Sequence, residues 1–153
     1  DLLIDTTDLT PRALRDMITS RLVQQRDGLS VLFESFAFKR GVPTDADFVF
    51  DARALPNPYW QDKLRSQTGL DTEVIQFLER DARCLAFFAK LKDFIATVLR
   101  DFDESDRSYM TIAIGCTGGQ HRSVYLTEKL HRDLITQFPA AQIRHRDLQE
   151  AGS

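Results

Sequence analysis

The sequence has little cysteine, no excess of positive charge and no long apolar run. Cys84 and Cys116 are the only cysteines among 153 residues, and they lie in unlike contexts, an apolar stretch and a glycine-rich segment. This usage is typical of a reduced, cytoplasmic protein and argues against a disulfide framework. The formal net charge of −3 excludes a uniformly basic nucleic-acid-binding protein, so phosphate binding must come from a local patch. Because no apolar run approaches about 20 residues, we expect no membrane span.

The composition nevertheless supports a folded core. Hydrophobic residues make up 42% of the chain and include 11 phenylalanines, which excludes a disordered protein. The chain opens at Asp1 in a segment that predicts a buried strand, so we expect a piece of a longer protein. A polar break at residues 24–28 predicts a boundary. Residues 1–27 would then end a preceding domain and linker, and residues 28–153 would form one domain.

Strand patterns alternate with helix patterns along the chain. Short runs rich in β-branched and aromatic residues predict strands at residues 30–36, 47–50, 108–115 and 142–145. Apolar stripes predict helices at residues 14–22, 87–98 and 126–134, with another helix from Asp71. The clearest stripe, expected to face the core, contains Phe87, Phe88, Leu91, Phe94, Ile95 and Val98. The alternation favours an α/β fold, a layered sheet with flanking helices.

One loop carries most of the chemistry in the sequence. It runs from Gly115 to Ser123 (GCTGGQHRS), between a predicted buried strand and an amphipathic helix. Glycines permit positive φ, so that successive N–H groups can point into one concavity, and the helix N-terminus adds unpaired donors. A guanidinium and two hydroxyls complete a candidate phosphate site. Its predicted ligand-binding residues are Thr117, Gly118, Gly119, His121, Arg122 and Ser123.

The same loop also fits the Cys-x5-Arg-Ser pattern of cysteine-dependent phosphatases. In that alternative the Cys116 thiolate attacks phosphorus, and Asp51 or Asp103 serves as the general acid. The spacing is short and occurs by chance, and no second loop that would deliver the acid is identifiable. We therefore expect no catalytic residue and no metal site, with Cys116 packed behind the loop.

Three separate motifs, GCTGGQHRSVY, DADFVFDARALPNPYW and KLRSQTGLD, resemble the RapZ/YvcJ family over nearly the whole chain. Proteins of that family carry an N-terminal P-loop nucleotide-binding domain followed by a C-terminal domain. The resemblance implies that residues 1–27 end the P-loop domain, so ATP or GTP is expected only in the part of the protein outside this sequence. The C-terminal domain is expected to resemble the C-terminal subdomain of 6-phosphofructokinase.

The resemblance also implies a function. The RapZ branch is an RNase adaptor that binds regulatory small RNA, presents one such RNA to the endoribonuclease RNase E, and senses glucosamine-6-phosphate in amino-sugar metabolism. The full-length protein is expected to be a cytoplasmic homotetramer. By the same likeness, Ser108 and Asp51 are expected to face the ligand pocket, with Asp51 beside the sugar's amino group and Arg122 on its phosphate. Tyr59 stands where the best-known branch has histidine, and it keeps a hydroxyl donor without a positive charge.

The resemblance implies RNA binding, which requires a local basic face. Residues 121–146 contain five Lys or Arg against two acids, a local excess of +3. The RapZ branch ends in a basic tail, whereas this sequence ends in DLQEAGS, so a metabolite-binding regulatory domain without RNA binding stays open as an alternative. The residues predicted to contact RNA are Lys39, Arg40, Arg53, Lys63, Arg65, Arg122, Arg144 and Arg146.

Overall fold

A computed structural model describes residues 28–105 and 107–149. This part of the chain contains four strands, β1 (Ser30–Ala37), β2 (Phe48–Asp51), β3 (Tyr109–Cys116) and β4 (Ala141–His145). Its α-helices are α1 (Thr72–Glu79), α2 (Ala82–Asp103) and α3 (Arg122–Leu134), and short 3₁₀ turns occur at Phe38–Arg40 and Pro58–Trp60. The strand at residues 1–5, the helix at residues 14–22 and the boundary after residue 27 lie outside the described residues.

The four strands form one parallel sheet in the order β2-β3-β1-β4. In the register between the two central strands, Ser30 lies opposite Tyr109 and Ala37 lies opposite Cys116. All strands therefore end at the same edge of the sheet, which is where α/β proteins usually place their ligands. The predicted α/β class is confirmed. The likeness to 6-phosphofructokinase stays a prediction.

Burial explains why β3 is an almost continuous apolar run. β3 is buried from Met110 to Cys116, as expected for a parallel strand covered on both faces. On α2 the buried stripe contains Cys84, Phe88, Leu91, Ile95 and Leu99. The prediction that Phe94 belongs to this stripe is wrong, because its side chain is half-exposed and packs edge-on against Phe48 and Phe50 of the edge strand. Among the described residues, no helix has both the length and the apolar character needed to cross a bilayer.

Candidate functional site

A cavity of about 470 Å³ opens at the carboxyl edge of the sheet. Its walls come from the 3₁₀ turn after β1, the loop between β3 and α3, and the segment around residues 57–65. Four cationic side chains line it, Lys39, Arg40, Arg65 and Arg122, and none of its described lining residues is acidic. The cavity therefore favours an anionic ligand.

The glycine-rich loop reaches the cavity in one sharp turn. Gly119 has a φ of 71°, in the left-handed region, and a Cβ there would lie 3.0 Å from the Cβ of Ala37. Gly118 has no positive φ, and a Cβ there would meet nothing within 4 Å. Of Gly118 and Gly119, only Gly119 is thus required by the backbone, while Thr117 and Gly118 line the cavity.

Arg122 is the first residue of α3 and is 3% exposed. Its Nη1 atom donates to the carbonyl oxygens of Arg53 and Leu55, at 2.8 and 2.9 Å. Its Nε atom has no hydrogen-bond partner, and none of the ion pairs found among the described residues involves this guanidinium. A buried, unpaired donor of this kind costs free energy, and it belongs to a guanidinium whose residue also lines the cavity.

His121 ties the start of α3 to the segment before α1. Burial lowers the pKa of His121, so the imidazole is neutral at pH 7. The Nε2 atom lies 3.1 Å from the carbonyl oxygen of Leu64, and because a carbonyl only accepts, Nε2 carries the proton. The amide of Gly69 donates to the carbonyl of Gln120 at 2.8 Å in the same region. His121 therefore supports the loop as well as lining the cavity.

The prediction that Cys116 packs behind the loop is wrong, because this residue, at the end of β3, is one of those lining the cavity although it is only 2% exposed. Its Sγ atom lies 3.1 Å from the hydroxyl oxygen of Ser123, which is itself buried. The carboxylate of Asp103, one of the two predicted general acids, accepts a hydrogen bond from the amide of Leu29, which precedes β1. That contact lies at the opposite edge of the sheet from Cys116, so Asp103 is far from the thiol.

Asp51, the other predicted general acid, is held by Arg53. The guanidinium of Arg53 contacts both carboxylate oxygens, with Nη2 2.8 Å from Oδ2 and Nε 3.0 Å from Oδ1. These hydrogen bonds lower the pKa of Asp51, which keeps the carboxyl ionised and makes it a poor proton donor. Asp103 is thus too far from Cys116, while Asp51 lies opposite Gly115 in the sheet but is held as an ionised partner of Arg53, so this geometry favours binding over phosphatase chemistry.

Comparison with known proteins agrees with the sequence motifs. The family model described as the RapZ C-terminal domain matches residues 29–149. The chain belongs to the RapZ C-terminal domain family.

Similar proteins support the assignment along the whole chain. The chain is 51% identical to a "Nucleotide-binding protein" of Marinobacter nauticus over 149 residues, which are 97% of this chain and 51% of that protein. It is 46% identical over 151 residues to a protein of the same name from Cellvibrio japonicus, covering 98% of this chain and 51% of the relative. It is 50% identical over 149 residues to the "Nucleotide-binding protein in ptsO 5'region" of Pseudomonas putida, covering 97% of this chain and 52% of the relative. The chain thus spans about half the length of the curated relatives it matches.

The structure separates the residues that the RapZ resemblance groups around one ligand. Tyr59 lines the cavity, with the Arg65 guanidinium 4.9 Å above its ring. Asp51 ends β2 at the same edge of the sheet but does not line the cavity. Ser108 precedes β3, and its carbonyl accepts from the amide of Ser30 at 3.0 Å. Eight strand residues, roughly 26 Å of extended chain, lie between Ser108 and the loop, so Ser108 is at the far end of the sheet.

The residues predicted to contact RNA also fall into two groups. Lys39, Arg40, Arg65 and Arg122 share the cavity. The remaining four interact mainly with acids: Arg53 with Asp51, Lys63 with Glu73, Arg144 with Glu34, and Arg146 with Asp147. Arg65 also pairs with Asp62 at 3.0 Å, so the ion pairs of the described residues leave Lys39, Arg40 and Arg122 as the uncompensated cations of the cavity.

Five residues that line the cavity were not predicted to do so: Asn57, Trp60, Gln120, Gln149 and Cys116, the last of which was expected behind the loop. Trp60 is 73% exposed, which is unusual for an indole, and it follows Tyr59 in a 3₁₀ turn. Gln120 lies inside the glycine-rich loop, and its side-chain amide is engaged in hydrogen bonds with Gly118, Asp147 and Gln149. Gln149 has no local signal, because only the tertiary structure brings it to the loop.

Proposed function

We propose that this domain is the sugar-phosphate-sensing and RNA-binding part of a RapZ-type adaptor in the cytoplasm. The single observation that carries the proposal is the buried guanidinium of Arg122, whose Nε atom has no hydrogen-bond partner. Arg122 is one of four cationic residues that line the cavity. Phosphate oxygens match the fork of donors that a guanidinium presents. The N–H groups at the start of α3 and the Thr117 hydroxyl add further donors.

The ligand proposed for this cavity is glucosamine-6-phosphate. The phosphate group occupies the loop, and Asp51 contacts the amino group of the sugar after its carboxylate exchanges part of its pairing with Arg53. That exchange is possible because Asp51 and Arg53 are both about half exposed, so their ion pair is weak. The volume of about 470 Å³ lies in the usual range for small-molecule sites.

Isothermal titration calorimetry tests the sugar-phosphate proposal. The chain is titrated with glucosamine-6-phosphate, glucose-6-phosphate, glucosamine and inorganic phosphate. Wild type is expected to bind glucosamine-6-phosphate most tightly, and Arg122→Lys to weaken that binding by about 10- to 100-fold, because a bidentate charged hydrogen bond is lost. Arg132→Lys is the matched control, since Arg132 lies on the same helix with its side chain 71% exposed.

Two results would contradict the sensor proposal, and a third would exclude only Asp51 from the site. Equal affinity for inorganic phosphate and for glucosamine-6-phosphate would reduce the loop to a general anion site. Turnover of an aryl phosphate that disappears in Cys116→Ser would instead revive the phosphatase alternative. If the ratio of the affinities for glucosamine-6-phosphate and glucose-6-phosphate is the same in Asp51→Asn as in wild type, Asp51 is not part of the site. The proposal of a phosphate-binding loop is unaffected by that result.

The RNA-binding part of the proposal rests on the exposed cations at the cavity mouth. Removing the charges of Lys39, Arg40 and Arg65 together is expected to lower RNA affinity. The slope of log affinity against log salt concentration should become shallower, by the amount expected for the loss of about two to three phosphate contacts. The control variant removes Arg80, which follows α1, together with Arg83 and Lys90 of α2, all of them exposed and outside this cavity. If wild type does not bind a structured small RNA, the alternative of a metabolite-binding regulatory domain without RNA binding is favoured. The ion pairs of Lys63, Arg144 and Arg146 support that alternative, because they compensate three of the predicted RNA-binding cations.

The remaining proposals concern the longer protein. We propose that it forms a homotetramer, presents small RNA to RNase E, and binds ATP or GTP through a preceding P-loop domain. The last point accounts for the name "Nucleotide-binding protein" of relatives about twice as long as this chain. Light scattering of the full-length protein tests the tetramer, and RNA cleavage by RNase E with and without that protein tests RNA presentation. Nucleotide titration of the full-length protein, compared with titration of this chain, tests the P-loop domain.

A further inference from the structure

A short segment after β4 packs directly against the glycine-rich loop. We name residues 146–149 the C-terminal strap. The side-chain amide of Gln120 holds it from inside the loop: Nε2 donates to the carbonyl oxygen of Asp147 at 2.8 Å, and Oε1 accepts from the amide of Gln149 at 3.1 Å. The same Nε2 atom donates to the carbonyl oxygen of Gly118 at 3.0 Å. One amide side chain therefore links the loop to two points of the strap.

A second set of contacts fastens the strap to the end of β1. The Oδ2 atom of Asp147 accepts from the amide of Ala37 at 2.7 Å and from Nη2 of Arg146 at 2.8 Å. Burial alone would raise the pKa of Asp147, but these hydrogen bonds outweigh it and lower the pKa, so the carboxylate is ionised at neutral pH. A Cβ on Gly119 would lie 3.2 Å from the Cβ of Asp147, which shows how closely the strap approaches the loop.

The strap is also a wall of the anion cavity. Gln149 lines the cavity together with Gln120, Thr117 and Arg122. A ligand that orders the loop therefore acts on the same hydrogen bonds that hold the strap. Because free-energy coupling between two elements is reciprocal, ordering either one favours the ordered form of the other.

We propose that the C-terminal strap is part of the ligand site and that Gln120 is the positioning residue that couples it to the anion loop. Anion binding at the loop immobilises the strap, and loss of the strap weakens anion binding. The proposal rests on the anion site described above. It extends that site to a segment remote in sequence.

The substitution Gln120→Met tests this role because it keeps the side-chain length and removes both hydrogen-bonding functions. Gln137→Met is the matched control, since Gln137 is exposed and lies after α3, away from the cavity. A chain that ends at Arg146 is the second variant and removes the strap beyond its first residue. Each variant is compared with the 153-residue chain in urea denaturation, so that weakened binding can be separated from loss of the fold.

Amide hydrogen exchange and calorimetry supply the readouts, with inorganic phosphate and glucosamine-6-phosphate as probes. In wild type, the ligand is expected to slow exchange of the Gln149 amide by about tenfold. In Gln120→Met that amide exchanges faster without ligand, the slowing disappears, and the Kd rises by roughly three- to tenfold, which corresponds to one or two net hydrogen bonds. The chain ending at Arg146 is expected to lose at least as much affinity.

The outcomes separate this proposal from the one on which it rests. If wild type binds a probe but exchange of Gln149 is unchanged, or if Gln120→Met binds as tightly as wild type, the coupling is refuted and the anion site stands. If neither probe binds wild type at millimolar concentration, the anion site and the coupling both fall.

Discussion

Gly69 lies against the first turn of α3, and its replacement by alanine should be severely destabilising. A Cβ at this position would lie 2.5 Å from the backbone nitrogen of Tyr125 and closer still to the carbonyl oxygen of His121. Those two atoms form the first hydrogen bond of α3, at 3.0 Å. Ordinary Cβ contacts begin near 3.4 Å, so the backbone around Gly69 would have to move by about 1 Å.

The magnitude follows from two contributions. Overpacking of this kind costs about 1–3 kcal/mol, and weakening the hydrogen bond from the Gly69 amide to Gln120 costs roughly 1 kcal/mol more. The free energy of unfolding should therefore fall by about 2–4 kcal/mol in Gly69→Ala. At a typical urea m-value, the midpoint of denaturation falls by about 1–2 M.

Gly118→Ala is the matched control for this experiment. A Cβ there meets nothing within 4 Å, and its φ is not positive, so the change in unfolding free energy should stay within about 0.5 kcal/mol. Because the displaced turn carries the anion loop, Gly69→Ala should also bind glucosamine-6-phosphate more weakly. Equal stability of Gly69→Ala and Gly118→Ala would refute the steric reasoning.

Three further predictions concern buried titratable groups. Tyr125→Phe removes a hydroxyl that donates to Glu79 at 3.0 Å, so thermal denaturation should show a loss of about 1 kcal/mol, and an unchanged Tm would contradict that contact. Burial lowers the pKa of His121, so the unfolded chain takes up its proton first, and stability should fall as pH drops from about 6.5 toward the folded-state value. Urea midpoints measured between pH 7.5 and 5.5 test this, and a His121→Asn variant with the same pH slope would argue against it. Burial also raises the pKa of Cys84 to about 11, so at pH 8 only about one thiol in a thousand is ionised. Iodoacetamide should alkylate Cys84 at least about 100-fold more slowly in the native protein than in urea, and fast native labelling would show that the thiol is accessible.

Local patterning accounts for the part of the fold that sequence analysis recovered. The predicted strand at residues 108–115 is observed as Tyr109–Cys116, because a strand covered on both faces must be apolar throughout. The stripe on α2 was predicted correctly at Phe88, Leu91 and Ile95, where helical periodicity faces the sheet. The prediction for Phe94 failed because helical periodicity does not reveal the neighbouring strand. β2, at the edge of the sheet, provides a partly exposed aromatic surface against which Phe94 packs.

The candidate site was predictable to the extent that it is local in sequence. Thr117, Gly118, His121 and Arg122 are neighbours in one strand–loop–helix unit, and all four line the cavity. Ser108 was placed with them by family resemblance, but the strand that joins it to the loop also carries it to the opposite edge of the sheet.

What the sequence alone determined about this protein is its α/β class, its family and the presence of an anion-favouring loop before a helix. Each of these depends on contacts between residues close in the chain or on a continuous motif. The tertiary structure alone decided which groups surround that loop. Arg122 donates to a carbonyl 69 residues earlier, and Gln120 holds the strap 27 residues later. Such contacts arise from the order of strands in the sheet and the packing of connecting segments, so no local pattern encodes them.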